Sequence, residues 1–238
     1  MNRSLTIWML AFLIPVTISC EETEQTGPEL TAFQFETIEY FNEIALGFEF
    51  GDFSEVTRKW KKPMKVFAGG RPSDDNVTEL QLVRDEINML VTDGFRIELV
   101  SDSANCNFYI HFGSREDYVS FFPEISTLIG GSNGISYPYF NRRAELIGGH
   151  MLVDNTRTSL SEQRHLIREE LTQSIGLARH SVRYKNSVFL RSGNSVTAYA
   201  DIDRELVRLL YHPYMVVGVS APGSTAILQN IYFEENSD

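Results

Sequence analysis

Residues 159–176 constrain the fold more than any other stretch of the chain. Ser159 and Glu162 are spaced as a capping box, which fixes a helix start. Leu166, Ile167, Leu171 and Ile175 supply apolar faces, and Gly176 marks the stop. A helix this short depends on tertiary packing for its stability. His165, Glu169 and Gln173 stand at i, i+4 and i+8, so they stack along one face, drifting about 40° per step because 3.6 does not divide four. Glu170 lies one residue off that stripe.

The rest of the chain offers partners for this helix. Apolar residues at three- to four-residue spacing predict a helix over 35–48, ending at Gly47. A short strand is expected at 64–68. A second helix carries Leu80, Val83, Ile87, Leu90 and Val91, with Asp74, Asp75 and Asn76 before it. Strands follow at 96–100 and 107–112, the second turning Phe108, Ile110 and Phe112 inward and leaving His111 solvated on a polar face. Ser114 can cap a short helix. Residues 129–143, rich in Gly, Ser, Asn and Tyr, read as a long loop, and 146–153 as a strand. A last helix spans 199–211, with Asp201 and Asp203 near its positive end.

Of the 238 residues, 42% are hydrophobic and 12% aromatic, enough for one proper core. A formal charge of −11 lacks the basic footprint that a phosphate backbone requires, so nucleic acid is not expected as a partner. The one dense basic run, 58–62, either meets anionic lipid or glycan or forms a solvated turn beside a core Trp60.

Residues 1–19 read as a lipoprotein signal peptide. Asn2 and Arg3 precede about 14 mostly apolar residues, too few to cross ~30 Å of hydrocarbon. Thr17-Ile18-Ser19-Cys20 followed by Glu21, Glu22 and Glu24 resembles the bacterial lipoprotein signal, which implies cleavage before Cys20 and its lipidation. The expected division is an acidic tether at 20–32 and a single domain at 33–238, anchored at the outer membrane or cell surface. Cys106 reads as a small buried hydrophobe.

Zinc hydrolases hold the metal with two ligands at i and i+4 on one helix, and a Glu beside the first deprotonates bound water. The usual sequence is His-Glu-x-x-His. Residues 169–173 are Glu-Glu-Leu-Thr-Gln, so Glu170 keeps the place of the base while Glu169 and Gln173 replace the histidines. Residues 169–179 align with the longer metzincin signature His-Glu-x-x-His-x-x-Gly-x-x-His, including Gly176; Arg179 takes the third ligand place and His180 follows. Residues 107–112 resemble the metzincin edge strand.

Closer still is the resemblance to a bacterial domain-of-unknown-function family, number 2927, whose members include lipoproteins. It rests on Tyr40-Phe41-Asn42-Glu43-Ile44-Ala45-Leu46-Gly47-Phe48, on Arg58-Lys59-Trp60 with Pro63, and on Glu169-Glu170-Leu171-Thr172-Gln173-Ser174-Ile175-Gly176-Leu177. The resemblance implies an α+β, zincin/metzincin-like fold, with a small mixed sheet packed by an active-site-type helix and a C-terminal helix.

Two functions follow from the substitution. In the first, Glu169, Gln173 and Arg179 satisfy one another by hydrogen bonds. The cleft then needs no cofactor and binds a protein, peptide or glycan. In the second, Glu169, Gln173 and His180 or His165 hold zinc, and Glu170 is the general base of an atypical metallopeptidase-like hydrolase. Zinc favours imidazole and thiolate over a carboxylate or a neutral amide, which supports the first.

Overall fold

The computed structural model describes residues 29–48, 54–191 and 195–237. The leader, Cys20 and the tether up to residue 28 lie outside these. Strands β1 (Lys59–Trp60), β2 (Met64–Gly70), β3 (Ile97–Leu99), β4 (Phe108–Phe112) and β6 (Glu145–Val153) run parallel in the order β1-β6-β4-β2-β3. Strand β5 (Gly134–Phe140) pairs antiparallel with β6. Helices α1 (Ala32–Ala45), α2 (Asp74–Leu90), α3 (Arg115–Phe121), α4 (Leu160–Ser174), α5 (Asp201–Leu210) and α6 (Ala221–Glu235) complete the domain. The fold is α+β: a mixed sheet with α4 packed against β5 and β6.

Alternation along β4 divides the interior in two. Phe108, Ile110 and Phe112 enter a large core with Ile87 of α2, Leu171 of α4 and Leu206 of α5. The other face supports a smaller core of Tyr118, Ile125, Ile129, Ile135 and Leu152. The solvated His111 expected on that face is instead 3% exposed, because Tyr118 and Phe121 of α3 lie over its ring.

Four further expectations change. Ser73, not the acidic residues after it, caps α2, and Asp74 and Asp75 form its first turn. Residues 134–140, read as loop, form β5: Ile135 and Tyr137 pack inward at a spacing of two, and an outer strand accommodates Pro138. Strand β5 therefore lies at an edge, while β4 lies between β2 and β6. Finally, 199–211 is not the last helix, since α6 follows α5.

Helix α6 packs on α1, and their ends are joined. Thr31 caps α1 in a box with Gln34. Gln34 and Asn236 then exchange amide hydrogen bonds of 3.1 and 3.2 Å, and Asn236 also donates to the Glu29 carbonyl at 3.3 Å. In the basic run, Arg58 and Lys59 are buried, with Lys59 Nζ 2.8 Å from Asp93, so Lys61 and Lys62 alone carry exposed charge there.

Candidate functional site

Helix α4 is buried on nearly all sides from Ile167 to Ser174. A helix so enclosed is normally apolar. Here Ile167 and Leu171 enter the large core with Ile175, while Arg168, Glu169, Glu170, Thr172 and Gln173 are covered too and need partners. Arg168 pairs with Glu79 and Glu86 of α2 at 3.2 and 2.5 Å, and lies 4.5 Å from the Tyr199 ring centre. The orphan carbonyls at the end of α4 are met by the Trp60 indole, which donates to Ser174 at 2.9 Å, and by the Tyr211 hydroxyl, which donates to Ile175 at 2.8 Å.

Gly176 sets the exit. Its φ is +115°, and a Cβ there would sit 2.0 Å from the Arg58 carbonyl oxygen, so only glycine fits. The chain then runs beside Phe48, bridging it at Ala178, and the Arg179 amide donates to the Ile44 carbonyl. Successive side chains point opposite ways. Arg179 turns outward to Glu55 at 3.1 Å, and His180 turns inward. His180, not Arg179, therefore joins Glu169 and Gln173.

The two oxygens of Glu169 are shared between two histidines. His165 Nε2 is 3.1 Å from Oε2, and His180 Nε2 is 2.9 Å from Oε1. The Gln173 amide lies 3.0 Å from the same His180 nitrogen, and Ser136 of β5 donates to Gln173 Oε1 at 3.3 Å. His165 Nδ1 stands 2.8 Å from the Val196 carbonyl. Both nitrogens of His165 thus face acceptors, so both donate and the ring is a cation. Burial alone would lower its pKa, but the hydrogen bond and charge of Glu169 outweigh burial and raise it. Burial alone would raise the pKa of Glu169, and the two histidines instead lower it.

These residues do not fit zinc as they are arranged. One carboxylate oxygen that a metal would use already accepts from the His165 cation, the other lies 2.9 Å from His180 Nε2, and the remaining donor is a neutral amide. Among the described residues, no three His, Cys, Asp or Glu side chains are grouped to hold an ion. Glu170 is 6% exposed and sits against β5, where a Cβ on Gly134 would come within 2.8 Å of Oε1.

The sequence reading missed a second polar cluster beneath α3. His150 of β6 contacts Tyr118 and Glu124, and Tyr139 of β5 donates to the same Glu124 oxygen at 2.9 Å. The spacing Ile135, Tyr137, Tyr139 was the signal that could have exposed it.

The model of the family described as "Protein of unknown function (DUF2927)" matches residues 35–230. The chain belongs to that family. No curated protein matches it. Among solved structures, one of myroilysin aligns with a TM-score of 0.40 at 11% identity, over 65% of this chain and 95% of that one. A second myroilysin structure aligns with a TM-score of 0.42 at 11% identity, over 65% and 86%.

Proposed function

We propose that this DUF2927 member is a cell-envelope lipoprotein, anchored through lipid on Cys20 at the outer membrane or cell surface, whose zincin-like domain binds a peptide without cutting it. The observation that carries the reading is the double engagement of Glu169 by His165 and His180, residues to which the motif resemblance gives the role of metal ligands. Strand β5 suggests the class of partner. Among the described strands it pairs only with β6, so its other edge can offer backbone donors and acceptors to an extended chain. His180, 17% exposed, is the most accessible of the site's ionisable groups.

The test is elemental analysis of the protein purified without chelator from an export-competent host, with thermal melts and a binding screen of extended peptides against glycans. Substoichiometric zinc, a melting temperature indifferent to added zinc, lipid on Cys20 and peptide capture are expected. Stoichiometric zinc together with proteolysis lost in Glu170→Gln would establish instead a hydrolase with Glu170 as base. Capture of glycans alone would replace the peptide as partner.

A further inference from the structure

Helix α3 and the turn at Pro123–Ile125 cover the sheet face opposite the large core. We propose that residues 114–125 form an acid-released lid, opened by protonation of His111 and His150, the two imidazoles it buries against β4 and β6.

His111 is 3% exposed, and among the described residues neither of its ring nitrogens has a hydrogen-bond partner. Its ring lies 5.5 Å from Phe121 and 5.8 Å from Tyr118, both on the lid. Nε2 presses against Gly113, where a Cβ would approach to 2.6 Å. The acids acting on it are Asp117 of α3 and Asp154 after β6. Asp154 already accepts from the Arg115 amide, Thr156 and Arg157. A proton on His111 would therefore bring a charge into a buried site where only Asp117 and the engaged Asp154 act on it, from beyond hydrogen-bond reach, and burial outweighs them and lowers its pKa.

His150 is fully buried and stacks on Phe122 of the lid at 3.9 Å. Its Nε2 faces Glu124 Oε1 at 3.2 Å, and its Nδ1 faces the Tyr118 hydroxyl. A carboxylate only accepts, so Nε2–H donates to Glu124 and Nδ1 accepts from Tyr118. A second proton would turn Nδ1 into a donor and take away the acceptor of a fully buried hydroxyl. The remaining titratable and charged neighbours are Tyr109 of β4, Tyr137 and Tyr139 of β5, Glu170 of α4, and the Glu116–Arg157 pair at the lid's start.

Burial depresses the His150 pKa to about 4, with Glu124 opposing the shift. The closed lid therefore binds fewer protons than the open one. Closure is fully favoured above pH 6.5, weakens as pH falls from there toward 4, and levels off below. At pH 4.5, His150 alone shifts the balance toward opening by a factor on the order of 10². The lid continues into β5, and Glu124 holds Tyr139 of β5 as well as His150. Release would thus loosen one wall of the peptide site; that consequence rests on the proposed binding, whereas release itself does not.

Hydrogen exchange of the purified protein at pH 7.5 and 4.5, corrected for intrinsic rates, tests this. Protection across 114–133 should fall by a factor on the order of 10² or more while α4 changes much less. Unchanged protection, or an equal fall everywhere, overturns the lid. The double variant His111→Phe with His150→Gln should stay closed at pH 4.5, and its opening like the parent would count against the proposal. Should that variant not fold, the imidazole NMR titration of the parent decides. Midpoints below 6.5 that track lid exchange support it, and ordinary titration with the lid closed refutes it. Peptide binding measured at both pH values separates loss of the lid from failure of the binding reading.

Discussion

At the scale of single residues, one substitution reorganises the site. The Glu169 carboxylate draws both histidines to itself and becomes the anion between two rings. Removing it leaves His165 and His180 without their shared acceptor, and burial then lowers the His165 pKa. Glu169→Ala should therefore cost about 3 kcal/mol in urea unfolding at pH 7, and Glu169→Gln, which keeps the shape, less. The stripe of His165, Glu169 and Gln173 was legible because helical spacing alone places it. The return of His180 was not. It depends on the left-handed turn at Gly176 and on the parity of the extended residues after it, and a shift of one residue exchanges Arg179 for His180.

At the scale of elements, the helices with clear start signals were readable: Ser159 with Glu162 and Ser114 all cap where expected. Strand β5 and helix α6 were not. Gly134, Ser136 and Pro138 break the apolar run of β5, since one side of it meets α4 so closely that small residues are required. Helix α6 opens with Ala221-Pro222-Gly223, which reads as a turn, and the core side chains Leu228, Ile231 and Tyr232 lie beyond it. Two glycines three apart distinguish packing from conformation. A Cβ at Gly134 would meet Leu166 at 2.6 Å and Glu170 at 2.8 Å, whereas one at Gly131 meets nothing within 4 Å. Gly134→Ala should destabilise by about 1–3 kcal/mol and Gly131→Ala by less than about 0.5 kcal/mol, as read from thermal melts.

At the scale of the whole molecule, the α+β layering follows from segments that each carry their own periodicity, while the covering of both sheet faces does not. The lid over His111 and the apposition of α1 and α6 are long-range facts that no local pattern encodes. Helix α6 buries Leu228, Ile231 and Tyr232 against the large core. Losing several such side chains exceeds the whole stability of an ordinary domain, roughly 5–15 kcal/mol. A chain ending at Ser220 should accordingly show no cooperative melt by circular dichroism. The joined ends of α1 and α6 also set how the domain would bear load. Traction applied through the residues before Glu29 reaches Asn236 and Gln34 first, so their hydrogen bonds lie in series with the pull and the sheet lies behind them. Were the domain held from its N-terminal side, the side-chain clasp would part before any strand is strained and would act as its mechanical fuse.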